Sequence, residues 1–236
     1  MNTPKICSYS FIECLEYVKA WDIQKVLADQ VAAQVHDDVL LLLEHPPVFT
    51  LGRRSKTEDM LTPRDAIESL GASVVDVDRG GEIAFHGPGQ LIGYPILNLR
   101  RWGGPLAYVR ALESTLIEVL ASYGIEGKRI DGVTGVWVSG AKIGAIGVRI
   151  GSGVTTHGFA LNVNTDLSWY DHIVPCGIHD KDVTSLERVL GKAIPLEEIA
   201  SITARCFGKA MGFGMKEIAF AEFFDNYGLG SYAYRR

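Results

Sequence analysis

The sequence predicts an α+β protein, a mixed and largely antiparallel sheet with helices packed on it. Strand-like apolar runs are short and recur along the whole chain. Several of them are joined by tight turns, and three stretches carry clear helical spacing. No internal repeat, low-complexity segment or Pro/Gly/Ser linker interrupts the pattern. The 236 residues are therefore expected to form one domain over 1–236, with residues 184–236 as a small C-terminal subdomain.

Ile6 to Ile12 is the expected first strand. Glu16 to about Gln34 reads as a helix, because Ala20, Ile23, Leu27 and Val31 recur at three- and four-residue spacing. Val39 to Leu43 is a continuous apolar run, expected as a central strand buried on both faces. His45-Pro46-Pro47 ends it, and Val48 to Leu51 forms another short strand. Thr62-Pro63 reads as an N-cap with proline at the first helical position, opening a helix to about Leu70. Ser73 to Val77 is a strand, Arg79-Gly80-Gly81 a turn, and Gly81 to His86 a strand that ends at His86-Gly87-Pro88-Gly89. Leu91 to Leu99 resumes β structure.

Pro105 to about Tyr123 is helical, with Leu106, Val109, Leu112, Leu116 and Leu120 as its stripe and Gly124 as its C′ residue. Gly135 to Val138 and Ala141 to Ile150 flank Ser139-Gly140 and predict a hairpin. Val154 to Val163 is a further strand, and a helix from about Leu196 to Met211 closes the domain. The tail from Asn226 to Arg236 has weak periodicity and is expected to be loosely ordered.

The longest pure apolar run, Val39 to Leu43, falls far short of the roughly 18 residues a membrane span needs. The N-terminus lacks a signal or transit pattern, so a cytoplasmic protein is expected, with no membrane partner. A net charge of −5 argues against generic nucleic-acid binding. The four cysteines, Cys7, Cys14, Cys176 and Cys206, show neither a CxxC pair nor metal-type spacing.

Cys176 is distinctive because it sits between Pro175 and Gly177. Proline fixes φ and glycine permits a sharp turn, so the thiol is expected on a stiff bend. On the strand after the hairpin turn, Lys142 has the parity of Gly144, Ile146, Val148 and Ile150. If those positions face the core, the lysine does too, and it then needs a partner to offset lost hydration. The alternative is a lysine near the turn that reaches back to water. A nearby cation lowers a thiol's pKa and makes it a nucleophile, and a desolvated amine can take and return protons.

Arg79 to Gln90 holds four glycines in twelve positions without forming a nucleotide-binding fingerprint. Such strands leave room for a slender ligand, and Gly144 and Gly147 extend that feature to the lysine strand. His45, His86, His157 and His172 lack zinc spacing, and hydrogen-bonded core or turn roles are their simplest reading.

Taken together, Leu43 to Gly52, Arg79 to Gln90, Gly135 to Val138, Lys142 to Val148, His157 to Val163 and His172 to Ile178 resemble the octanoyltransferases, also called lipoyl(octanoyl) transferases. The resemblance runs in order through residues 40 to 190 and is weaker in the N-terminal helix and after Leu190. It implies a fold similar to the biotin and lipoate protein ligases. It also implies transfer of an octanoyl group from octanoyl-acyl carrier protein to a lysine of lipoyl domains, in lipoate biosynthesis and protein lipoylation. The acceptors implied are the lipoyl domains of 2-oxoacid dehydrogenase complexes and the glycine cleavage H protein.

The catalytic pair implied is Cys176, through an acyl-thioester intermediate, and Lys142 as acid and base. The implied acyl-binding segments are Arg79-Gly80-Gly81-Glu82-Ile83-Ala84-Phe85-His86, Ala145-Ile146-Gly147 and Gly158-Phe159-Ala160. No metal, ATP or other cofactor is expected. Arg53, Arg54 and Lys56 form a local basic patch suited to an acidic carrier protein. The family usually has Thr-Tyr where this chain has Ala84-Phe85, which removes two hydroxyls. Two rival readings are an ATP-dependent lipoate or biotin ligase, which would not need Cys176, and a non-enzymatic acyl-carrier-binding module.

Overall fold

The structure is a computed structural model and describes residues 5–174 and 182–233. Eleven strands form two sheets among the described residues. The large sheet has the order β11-β1-β2-β6-β10-β9-β8-β7, and the small one β4-β3-β5. The large-sheet strands are β1 (Lys5–Ile12), β2 (Val39–Leu43), β6 (Gln90–Ile96), β7 (Lys128–Ile130), β8 (Val133–Val138), β9 (Ala141–Gly151), β10 (Val154–Asn162) and β11 (Phe213–Glu217). Within the large sheet only β11–β1 and β1–β2 run parallel among the described residues, so it is mixed and largely antiparallel, as expected. The small sheet joins β3 (Val48–Leu51), β4 (Ser73–Asp76) and β5 (Ile83–His86).

Every residue of β2 is fully buried. Leu40 and Leu42 pack under α3 (Gly104–Ala121) and α5 (Leu196–Met211), while Val39, Leu41 and Leu43 pack under α1 (Tyr17–Ala32). Helices therefore cover both faces of the sheet centre, which is why the strand reads as an unbroken apolar run. On α1 the buried set contains Ala20, Ile23, Leu27 and Val31, the stripe its spacing predicts. Gly212, at φ 76°, ends α5 in the left-handed conformation that glycine tolerates.

Several expectations are corrected. Pro63, not Thr62, is the N-cap residue of α2 (Arg64–Ser69). Leu106 is 72% exposed, because the buried face of α3 runs through Tyr108, Leu112, Thr115, Leu116 and Val119. The short edge strands β7 and β11 and the helix α4 (Leu186–Leu190) carry too little apolar alternation to be foreseen. The described part of the tail, 226–233, is also more ordered than expected. It follows α6 (Phe220–Asn226) and contains α7 (Gly230–Ala233), and Tyr227 and Leu229 join Phe223 and Phe224 of α6 in the core beneath α1.

Candidate active site

A cavity of about 540 Å³ opens between the small sheet and strands β9 and β10. The loop after β4 closes one side of it. Gly80 donates its N–H to the Val148 carbonyl of β9 at 3.0 Å. Arg79 is buried and its guanidinium holds the loop together, donating to the Thr50 carbonyl at 2.7 Å and the Glu82 carbonyl at 2.8 Å. A forked, permanently charged group spans several carbonyls from separate nitrogens, whereas a lysine offers its three donors from a single nitrogen.

The opposite wall is made of strand backbone with small side chains. Gly147 of β9 pairs with Gly158 of β10, and Ala145 pairs with Ala160. A Cβ on Gly147 would lie 3.1 Å from the Gly80 carbonyl oxygen and 3.2 Å from Arg79 Cδ. A Cβ on Gly158 would run into the Gly93 carbonyl of β6. Glycine at these positions lets three backbone segments approach closely and leaves the wall flat.

Lys142 lines the same cavity and is only 7% exposed. Its Nζ lies 5.3 Å from the centre of the Trp137 ring, within cation–π range. Its backbone N–H donates to the Asp182 carbonyl at 2.8 Å, and its carbonyl accepts from the Thr184 N–H at 2.9 Å. Of the two orientations the sequence leaves open, burial is the one observed, but not by simple alternation. The β8–β9 register shifts between Val136 and Trp137, so Gly144 pairs with Val136 and Lys142 with Trp137. Gly144 then faces Leu116 of α3 while Lys142 faces the opposite side, and Ile150 is 36% exposed rather than inward.

The expected ligand segments converge on this cavity with one exception. Arg79 to Ala84, His86, Ala145 to Gly147 and Gly158 to Ala160 all line it. Phe85 points instead into an aromatic cluster, stacked on Trp169 at 5.4 Å and packed against Phe49 at 5.2 Å. It reaches only a smaller void of about 30 Å³ that it shares with Lys142 and Tyr170. Cys176 lies outside the described residues. The described chain leaves at Val174, whose N–H donates to the Asp59 carbonyl at 2.8 Å, and returns at Asp182 against Lys142.

Three buried histidines and two tyrosines cluster beside the cavity. Burial pushes His45 and His157 down to about 4 and His86 down to about 3, so all three are neutral near pH 7. Their partners fix the tautomers. His45 donates from Nδ1 to the Leu15 carbonyl at 2.5 Å and accepts the Tyr94 hydroxyl at 2.7 Å. His86 donates from Nδ1 to Gln90 Oε1 at 2.8 Å. His157 donates from Nε2 to Asp78 Oδ1 at 2.8 Å, and its Nδ1 lies 3.4 Å from the Tyr17 hydroxyl. Asp78 also pairs with Arg149 at 2.9 Å.

Gln90 extends the His86 contact by donating to Asn162 at 2.8 Å, and Asn162 donates to the Thr184 carbonyl at 3.0 Å. This polar chain ends at the residue that bonds the Lys142 carbonyl. No group of three or more His, Cys, Asp or Glu side chains that could hold a metal ion occurs among the described residues.

A family model described as "Lipoyl protein ligase A/B catalytic domain" matches residues 16–208. An octanoyltransferase of Chloroflexus aggregans is 52% identical over 190 residues, covering 79% of this chain and 86% of that protein. An octanoyltransferase of Rubrobacter xylanophilus is 50% identical over 198 residues, covering 83% of this chain and 89% of the relative. The chain belongs to the octanoyltransferase family.

The fold of this octanoyltransferase-family chain is also that of lipoate ligases. A lipoate-protein ligase A bound with ATP superposes with a TM-score of 0.72 at 13% identity, covering 97% of this chain and 95% of the other. A putative lipoate protein ligase from T. acidophilum with bound lipoic acid gives 0.69 at 14% identity, covering 95% and 98%.

Sequence reasoning did not foresee Tyr17, Ile92, Tyr94, Val109 or Thr134 in the cavity wall. They lie outside the motifs and reach the site through sheet pairing and the packing of α1 and α3. Glu113 was also missed, although a carboxylate adjoining the apolar stripe of α3, with Arg110 three residues before it, was a usable signal.

Proposed function

We propose that this acyltransferase moves an octanoyl group from acyl carrier protein to a lipoyl-domain lysine, through a thioester on Cys176. The Cys176 thiolate attacks the carrier thioester carbonyl and forms a tetrahedral intermediate. The intermediate collapses with loss of the carrier thiolate, which takes a proton from the Lys142 ammonium. The Lys142 amine then removes a proton from the incoming lysine ammonium. The freed amine attacks the acyl-enzyme, its nitrogen gives up a second proton to solvent, and Cys176 leaves as a thiolate. The two steps return the enzyme to its starting state and need no nucleotide, because the donor is already an activated acyl group.

The observation that carries this reading is the position of Lys142. It is a buried amine in a cavity walled by the glycine and alanine positions of β9 and β10, and its backbone is bonded to Asp182. Asp182 stands six positions after Cys176 in the chain. The flat wall suits an unbranched alkyl group. Other charged groups beside the cavity are held by partners, Arg79 by loop carbonyls and Asp78 by His157 and Arg149. Carrier-protein and H-protein specificity belong to the same proposal.

The test is intact-protein mass spectrometry after incubation with octanoyl-acyl carrier protein without ATP. One octanoyl adduct on Cys176, chased by a lipoyl domain, is the expected result. A folded Cys176→Ser protein that transfers at the wild-type rate, or transfer that requires free octanoate and ATP, overturns the reading.

A further inference from the structure

Glu113 lies on α3 and is fully buried, an unusual place for a carboxylate. Two arginines hold it. Arg110 Nη1 and Arg129 Nε each lie 2.8 Å from Glu113 Oε2. Arg129 is itself braced by bonds to the Arg110 carbonyl at 3.0 Å and Ser114 Oγ at 2.7 Å. The other carboxylate oxygen, Oε1, accepts the backbone N–H of Gly135 at 3.2 Å.

Gly135 belongs to β8 and has φ 136°, a conformation that favours glycine. A Cβ at Gly135 would lie 2.7 Å from the Gly144 carbonyl and 2.9 Å from Lys142 Cε. The bare Gly135 backbone therefore rests on the last methylene before the lysine amine. Val133 and Thr134 of the same strand line the cavity. A carboxylate serving stability alone is replaceable by apolar packing, because burying an ion pair gains little net energy. Here the carboxylate instead spans two contacts, from Glu113 to the Gly135 N–H and from Gly135 to Lys142 Cε.

We propose that Glu113, clamped by Arg110 and Arg129, is a positioning residue that fixes the Lys142 amine by holding the Gly135 backbone against its side chain. This rests on the reading of Lys142 as the proton carrier. Losing the clamp lets Gly135 recede and the amine wander, while the acyl cavity keeps its shape.

The experiment compares full-length wild type, Lys142→Met, Glu113→Gln and Arg129→Met. Each is assayed with octanoyl-acyl carrier protein and a lipoyl domain, with melting curves recorded alongside. In Glu113→Gln, kcat is expected to fall roughly 10- to 100-fold, the scale of a displacement of about 1 Å in a reacting group. KM for the donor stays within about twofold and the pH–rate profile shifts, which a loss of folded enzyme alone does not produce.

A folded Glu113→Gln enzyme with wild-type kcat and pH profile overturns the proposal. So does one whose KM rises while kcat stands. If Glu113→Gln does not fold, Arg129→Met decides by the same criteria, since Arg110 still pairs with Glu113 in it. Wild type without transfer activity, or Lys142→Met as fast as wild type, defeats the functional reading and the clamp with it. Active wild type, inactive Lys142→Met and unaffected clamp variants defeat the clamp alone.

Discussion

Lys142 donates its backbone N–H to the carbonyl of Asp182 at 2.8 Å, an isolated pairing outside the regular strands. The bond ties a buried amine to the chain that follows Pro175-Cys176-Gly177 in sequence. It also makes the lysine part of the sheet in two directions, toward β8 through strand pairing and toward residue 183 through a parallel bridge. The first prediction follows. Lys142→Met keeps these backbone bonds and the side-chain volume, so melting changes little, while octanoyl transfer falls about 10²- to 10⁴-fold, the range for removing a positioned acid–base group. A transfer assay on the folded variant checks it, and near-normal turnover counts against the role.

Arg79→Lys should loosen the loop that closes the cavity. Lysine's donors radiate from one nitrogen and do not reproduce the fork that spans the Thr50 and Glu82 carbonyls, so buried acceptors lose donors. A loss of about 2–4 kcal/mol is expected. Chemical denaturation measures it, and a raised KM for the acyl donor should accompany it.

Gly158→Ala sets a methyl group against the Gly93 carbonyl, which is backbone and cannot step aside. The expected cost is about 1–3 kcal/mol from overpacking. At about 2–4 °C per kcal/mol for a chain of this size, calorimetry resolves the change. An unchanged melting temperature would contradict the close approach of β6 and β10.

The histidine cluster makes stability depend on pH. His45, His86 and His157 titrate at about 4, 3 and 4 in the folded protein, below the ordinary 6.5. Between those values and 6.5 the unfolded chain binds protons that the folded one does not, so stability rises with pH across that window. It should be level above about pH 7 and fall by a few kcal/mol as pH drops from about 6.5 toward 4. Urea midpoints at pH 7.5, 6 and 5 test this, and a flat series excludes three neutral buried rings.

Charge reversal near the cavity should slow the first acyl transfer at low salt. Arg54 already pairs with Glu82 at 2.9 Å and Lys56 with Glu58 at 3.5 Å, which leaves Arg53 the largest share. Arg53→Glu is therefore expected to slow acyl-enzyme formation more than Lys56→Glu, and the difference should shrink as salt is added. Stopped-flow measurements at two ionic strengths decide it.

The sheet centre and the long helices were legible because they bury one pattern many times over. Val39 to Leu43 carries no polar interruption, and α1 repeats its apolar spacing over four turns' worth of buried residues. The edges were not legible. Lys128-Arg129-Ile130 and Phe213 to Glu217 are edge strands in which no residue is fully buried, so no apolar face marks them.

The candidate site was legible where a motif is local, as in Arg79 to His86 or Gly147. It was illegible where distant elements supply one side chain each. Tyr17 comes from the start of α1 and Tyr94 from the middle of β6, and neither stands in an unusual sequence context. Alternation left Lys142 either inward or reaching back to water, and its direction depends on the β8–β9 register shift. A bulge reverses parity without leaving a mark in the hydrophobic pattern.

The wall formed by Gly147, Gly158, Ala145 and Ala160 has a consequence for engineering. Two of its four positions have no side chain, and the other two carry only a methyl group. Mutation at the glycines therefore cannot widen the slot, and at the alanines it can remove at most one methyl group each. A bulky or ring-bearing acyl group cannot be admitted by trimming this wall. Selection for altered substrates has its freedom elsewhere, at the larger residues Tyr17, Ile92 and Tyr94, where shortening a side chain adds space.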